Sequence, residues 1–318
     1  MMKQRLVILL SLSALLLPGA CMRSFDLEVT SSPKLFLQCC PGPGDTTILQ
    51  LNRTIPVGST YDGPVFLESA DIEFRVNGVG YPVARADEKT GTVPPGGWYV
   101  AAPLRAGDAV QVEARAEGLD PVSATTVIPD EAPVFTWKCT PDSVRVTFQD
   151  ELKTEDWYGL AVYCERTIVN LDNGRVESVQ RGTLKPLAGY NDTWWHTVLR
   201  NYVDIPFNGW SFGYVRSLIR VWPDTGFSGR TVTLSMPVRA ASMTSYVGNY
   251  AHYDRYKVQL YRVTREFFRY GVALDHVRNN EFAEASLAPA AFSFSNVSGG
   301  TGILAGWTVS ETDWMTID

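Results

Sequence analysis

Histidine is nearly missing from this chain, with three residues among 318. His196, His252 and His276 are scattered, and none stands in an HExxH spacing. That excludes the helix-borne zinc site that two histidines one turn apart would build. A GxSxG elbow and a P-loop are missing too, so neither a hydrolase nucleophile turn nor a glycine cradle for nucleotide phosphates is present. Lysine and arginine number 28 against 34 acidic residues, for a formal charge of −6. A chain without clustered cations has nothing to set against a phosphate backbone, so nucleic acid is excluded as a partner. After the first twenty residues, no apolar run approaches the roughly 20 residues that span a bilayer as a helix. Fixed-period repeats and low-complexity tracts are missing, and helical periodicity surfaces at one place only.

What is present begins at the N-terminus. Lys3 and Arg5 precede an apolar run from Leu6 to Leu17, and Pro18, Gly19 and Ala20 lead into Cys21. A basic start followed by about a dozen apolar residues has the length of a signal-peptide core. Small residues directly before a cysteine match the bacterial lipobox, although Pro18 stands where that motif usually has an aliphatic residue. Residues 1–21 are therefore expected to be a lipoprotein signal peptide and lipobox cysteine, with Cys21 acylated as the first mature residue. Two acyl chains on one residue suffice for a stable anchor. An ordinary secreted chain cut after Ala20 is the alternative. Residues 22–32 are polar and without period, and read as a tether. Loss of Lys3 and Arg5 makes the mature chain more acidic still. Hydrophobic residues at 45% and charged residues at 19% describe a folded chain beyond the tether.

From Pro33 onward the pattern is that of strands. KLFLQCC (34–40) and TTILQLN (46–52) flank the turn cluster at 41–45. In ADIEFRV (70–76), Ile72, Phe74 and Val76 alternate with Asp71, Glu73 and Arg75, and Asn77-Gly78 then supplies a hairpin turn. Trp98–Val100, Ala109–Ala116 and Ala124–Ile128 continue the series. Short strands between turn signals predict an immunoglobulin-like β-sandwich over 33–130, and PDEAP (129–133) reads as a linker. Residues 134–318 read as a larger β-rich C-terminal domain, with strands near 134–139, 144–148, 158–167, 216–222, 231–237, 256–263 and 303–309. Its one helix is placed near 264–279, capped by Thr264, with Phe267, Gly271, Leu274 and Val277 or Arg278 along one stripe.

Candidate chemistry is sparse. Four cysteines follow Cys21, and an exported chain keeps disulfides. Cys139 with Cys164 is the favoured pair, since both fall in strand-like segments of one region. Closing that loop would contribute about 3 kcal/mol. Cys39 and Cys40 are neighbours, and a bond between them would be strained. Asp150, Glu151, Glu155 and Asp156 make an acidic cluster of the oxygen type that calcium uses. The EF-hand spacing is absent, and the expectation is a solvated loop. GGTGILAG (299–306) has the wrong spacing and too little chain after it for a dinucleotide fold, and reads as a glycine bend into a late strand. Aromatic residues crowd one stretch: Trp194, Trp195, Trp210, Phe212, Tyr214 and Trp222. They either fill a β core or stack on a ligand. Trp194, Trp195 and Trp210 are the candidate ligand contacts.

Taken in order, these segments resemble the DUF4249 family of Bacteroidetes outer-membrane lipoproteins. The likeness is carried by KLFLQCCPGPGDTTILQLNRTIPV, ADIEFRVNGVGYPV, GGWYVAAPLRAGDAVQVEARAEG, VRVTFQDELKTEDWYGLAVY, DTGFSGRTVTLSMPV, VQLYRVTREFFRY and VSGGTGILAGW. It implies no enzymatic role and no cofactor. It implies a lipid anchor in the outer membrane and accessory work beside a TonB-dependent receptor in nutrient uptake; a glycan or peptide is the candidate ligand of such a role. The membrane face stays open, either the cell surface or the periplasm. The rival readings are a stand-alone surface glycan-binding lipoprotein, which would expose tryptophans, a structural or adhesin-like subunit, which would carry an unpaired edge strand, and a hydrolase, which would join Ser or Asp with His196, His252 or His276 in one pocket.

Overall fold

The computed structural model describes residues 32–56, 60, 63, 65–88, 93–140, 143–152, 154–183, 202–209, 212, 218–237, 248–278 and 294–316. The fold is mainly β, and its strands and helix lie in one compact unit, Pro33–Thr54 with Gly63–Asp318. The first sheet has the order β17 (Thr301–Leu304), β1 (Leu35–Cys39), β2 (Thr47–Arg53), β6 (Trp98–Val100) and β5 (Val83–Arg85). The second has the order β4 (Val79–Tyr81), β3 (Asp71–Val76), β7 (Ala109–Arg115) and β8 (Val122–Val127). Inward alternation decides which residues meet between them. Leu35, Leu37, Leu49 and Val100 from one sheet share a core with Phe74, Val76, Val110, Val112 and Ala114 from the other. Asn77 and Gly78 both have positive φ, 51° and 81°, as the expected two-residue hairpin turn between β3 and β4 requires.

The third sheet has the order β15 (Thr231–Pro237), β10 (Ser143–Gln149) and β9 (Phe135–Thr140). It faces the largest sheet, in which β13 (Val203–Pro206), β14 (Leu218–Pro223), β11 (Trp157–Asn170), β16 (Tyr250–Val263) and β18 (Trp307–Glu311) run in that order. There, β12 (Val176–Thr183) pairs with β11, and β19 (Met315–Thr316) pairs with β16. The long strands β11 and β16 lie opposite each other over fourteen residues each, from Trp157↔Val263 to Asn170↔Tyr250. Both faces of this ladder are covered near the Trp157 end. Tyr158, Leu160 and Val162 pack toward β10 and β15, while Ala161, Tyr261 and Val263 pack toward helix α1 (Arg265–Arg278). Thr264 caps the helix as expected, accepting from the Phe267 N–H at 3.4 Å. The buried residues of α1 are Phe267, Tyr270, Gly271 and Ala273, whereas Val277 is exposed. The stripe is therefore turned toward β13. A Cβ on Gly271 would stand 2.0 Å from Ile205 Cδ1, so this glycine lets the helix approach the sheet.

The expected boundary between 33–130 and 134–318 is crossed. β17 comes from the end of the chain, yet it pairs parallel with β1 and contributes Leu304 to the first core. The expected single strand at 303–309 is two strands in different sheets, with Ala305-Gly306 as the passage between them. Cys39 and Cys40 show the same crossing on a finer scale. Adjacent residues of extended chain point to opposite sides, and Cys39 enters the first core while Cys40 joins the core under α1. The 129–133 stretch is held down instead of hanging free. Thr308 Oγ1 donates to the Asp130 carbonyl and Ser310 Oγ to the Ala132 carbonyl, each at 2.8 Å. The glycine bend at 299–306 is as expected: at Gly302, φ is +123° and a Cβ would lie 1.9 Å from the Leu37 carbonyl oxygen, which only glycine tolerates.

Candidate functional site

Three carboxylates converge at the Trp157 end of the ladder. Asp150 directly follows β10, Asp156 precedes β11, and Asp224 opens the short 3-10 turn Asp224–Gly226 that follows β14. One oxygen from each lies within 4.8 Å of the others, and all three residues are buried. Tyr158 stands between Trp222 and Arg262 across neighbouring strands. Its hydroxyl donates to Asp150 Oδ1 at 2.6 Å and lies 3.4 Å from Asp156 Oδ2. The Gly229 N–H donates to Asp150 Oδ2 at 2.6 Å. Arg262 directs Nε and Nη2 to Asp156 Oδ1 at 2.9 and 2.7 Å, and Thr154 Oγ1 donates to Asp156 Oδ2 at 2.6 Å. Asp224 is tied by its backbone, its N–H donating to the Asp156 carbonyl at 2.9 Å. Asp224 is 3% exposed, and its Oδ2 is buried with no hydrogen-bond partner among the described residues.

The electrostatics follow from that crowding. Burial pushes the Asp224 carboxyl above the usual carboxylate range, and the charges of Asp150, Asp156 and Glu155 push the same way, against the backbone bond to Asp156. Burial, reinforced by the bond to Asp150, raises the Tyr158 hydroxyl far above its ordinary range, so it remains a neutral donor. Burial is the largest single influence on Arg262 and lowers it, but the bond to Asp156 together with the charges of Asp156, Tyr158 and Glu151 outweighs this, and the guanidinium stays charged. Asp156 also borders an open cleft of about 640 Å³, lined by Gln111, Thr125 and Val127 on one side and by Glu155, Thr264 and Glu266 on the other. The donor set is oxygen throughout, which suits a hard cation and does not suit zinc or copper.

The opposite end of the ladder is built differently. Glu165 is buried and accepts from Arg255 Nε at 2.5 Å and from Arg181. Arg166 forks onto Asp254 at 2.7 and 2.6 Å. Past these pairs, Val179, Thr167 and Tyr253 stand opposite one another on β12, β11 and β16, and Val176, Val169 and Ala251 form the next row of the same face. Val176, Val179 and Tyr253 are 58, 52 and 60% exposed. With the partly buried Thr167 between Val179 and Tyr253, this face turns three large apolar side chains to solvent.

The residues singled out in the sequence fare unevenly. Cys21, Trp194, Trp195 and Trp210 lie outside the described residues, as do His196 and Tyr214. Trp222 is fully buried and Phe212 nearly so, so both belong to the core. His252 and His276 sit on β16 and α1. The expected Cys139–Cys164 disulfide is not made. Cys164 is a free, buried thiol, pushed up to about 11 by burial, and the two cysteines belong to different sheets. The expectation of a solvated acidic loop is also corrected: Glu151 and Glu155 face solvent, but Asp150 and Asp156 are buried. Sequence reasoning missed Asp224 and Arg262. The single signal for Asp224 was its place before a glycine turn, and Arg262 was hidden inside an alternating strand.

Compared with protein-family models, residues 23–313 match the one described as Domain of unknown function (DUF4249). No curated protein matches the chain.

Proposed function

The chain belongs to the DUF4249 family, and from that premise we propose that it is an outer-membrane lipoprotein. It is anchored through Cys21 and acts without catalysis as an accessory or ligand-binding partner of a TonB-dependent receptor in nutrient uptake. The observation that carries the reading is the exposed row of Val176, Val179 and Tyr253 at the Asn170 end of the ladder. Contiguous exposed apolar surface marks a place where another macromolecule docks. Arg181 and Arg255 flank the row and give it a polar rim, as protein interfaces have. The leader supplies the membrane attachment, and the 22–32 tether gives the body reach toward a barrel. No helix among the described residues is long and apolar enough to cross a membrane, so a lipid on Cys21 is the attachment this reading requires.

The test is affinity purification of the lipidated chain from detergent-solubilised outer membranes, with co-purifying proteins identified by mass. A β-barrel receptor is expected in stoichiometric amount. It should be lost from the Val179→Lys/Tyr253→Lys variant, while Cys21→Ser should release the chain from the membrane fraction. Recovery of the chain alone, from membranes in which candidate receptors are present, would overturn the partnership.

A further inference from the structure

We propose that Asp150, Asp156 and Asp224 hold a calcium ion at the Trp157 end of the β11–β16 ladder. The first support is the unpartnered oxygen. A buried carboxylate oxygen without a donor forfeits the free energy of its lost hydration. Asp224 Oδ2 is in that position, on a side chain 3% exposed and gathered with the two other carboxylates. The second is the charge count. Among the described residues, three carboxylates face one closely paired guanidinium, that of Arg262. The remaining ion pair is with Glu151, which adds a further negative charge at 3.6 Å. A divalent cation would neutralise what Arg262 leaves over.

Donor type and rigidity select the ion. Ligands about 2.4 Å from a calcium ion are at most about 4.8 Å apart, the limit within which these oxygens fall. Magnesium demands near-ideal octahedral geometry at about 2.1 Å and sheds its water reluctantly, which carboxylates already fixed by their own hydrogen bonds do not favour. The donors are also held ready. Tyr158 and Gly229 fix Asp150, Thr154 and Arg262 fix Asp156, and the 3-10 turn fixes the backbone of Asp224. The cleft bordered by Asp156 lies next to the set.

The experiment uses the mature chain, stripped with chelator and then titrated with calcium or magnesium while thermal unfolding is followed. Terbium luminescence, excited through tyrosine and tryptophan, serves as a second readout. Calcium at about 1 mM, the range in which extracellular calcium modules bind, should raise Tm by several degrees. Chelator should reverse the rise, and equal magnesium should not reproduce it. Terbium should luminesce through Tyr158 and Trp222. Asp224→Asn, which keeps the shape and removes the charge, should weaken calcium at least about tenfold, since ligand charge sets affinity in such sites. The proposal is overturned if the wild-type chain shows neither a calcium-dependent Tm nor terbium luminescence. It is equally overturned if Asp224→Asn and Asp150→Asn both bind calcium as the wild type does. Should a variant fail to fold, the wild-type titration alone decides.

Discussion

At the Asn170 end of the β11–β16 ladder, Glu165 lies between Arg181 and Arg255, and Arg166 faces Asp254. At the Trp157 end, Asp150, Asp156 and Asp224 share Arg262. The same two strands thus bury charge in two ways. One end gives each of its carboxylates at least one arginine and leaves an apolar row beside them. The other keeps an acidic excess next to a cleft. A buried charge is tolerated when it is paired and hydrogen-bonded, so the matched end needs nothing further, whereas the unmatched end calls for a cation. The contrast separates the two proposals in space, with docking at one end and ion binding at the other.

The sharpest way to break this comparison is to remove the Arg262 guanidinium at the acidic end. Arg262→Ala leaves Asp156, 6% exposed, without its partner beside two other carboxylates. A cost of about 3–5 kcal/mol is expected, read from urea midpoints at unchanged slope. At the matched end, Glu165→Gln should cost only about 1 kcal/mol. The arginine side chains it abandons are 67 and 45% exposed and return to water. Equal costs at the two ends would dissolve the distinction.

Acid titration sharpens it next. The Arg255 hydrogen bond, with Arg181 behind it, holds the Glu165 carboxyl below its ordinary value of 4.5. A depressed carboxyl binds fewer protons folded than unfolded. Its contribution is therefore complete above about pH 4.5 and is lost as pH falls through the lowered folded value. The nearby Arg166–Asp254 pair is common to wild type and variant. Wild type should accordingly lose more stability below pH 4.5 than Glu165→Gln does, seen as converging Tm curves. Parallel curves would refute the assignment.

How much of this was legible in the sequence depends on the range of the signal. Alternation in ADIEFRV and AVQVEAR is local, and it placed β3 and β7 and the faces they bury. The Asn-Gly turn and the Thr264 cap are local as well. β12 escaped because its residues bury little, and its order comes from pairing along β11. The return of β17 to β1 joins positions more than 260 residues apart, and no periodicity carries that information. The acidic site is of the same kind. Asp150 and Asp156 were visible as a cluster, but the surface reading failed because their burial is imposed by β14 and β16. Three of the segments that carry the family resemblance, VRVTFQDELKTEDWYGLAVY, DTGFSGRTVTLSMPV and VQLYRVTREFFRY, each deliver a part of that site: Asp150, Asp156 and Tyr158 from the first, Asp224 and Gly229 from the second, Arg262 from the third.

The smallest expected effect on stability is the one with the largest consequence for partnership. Val179 and Tyr253 are more than half exposed, so lysine at either position has water to enter and no core contact to lose. Val179→Lys and Tyr253→Lys should each change stability by no more than about 0.5 kcal/mol, as surface substitutions do. Capture of a receptor is a different matter. Lysine is depleted at the centres of protein interfaces, and a charge placed in a docking row must be desolvated whenever a partner closes over it. The pair of substitutions should therefore abolish capture while leaving the unfolding midpoint and the calcium response in place. A large loss of stability instead would mean that the row belongs to the core. A variant of normal stability that still captured a receptor would move the docking surface elsewhere and leave the acidic end as the one specialised feature of the ladder.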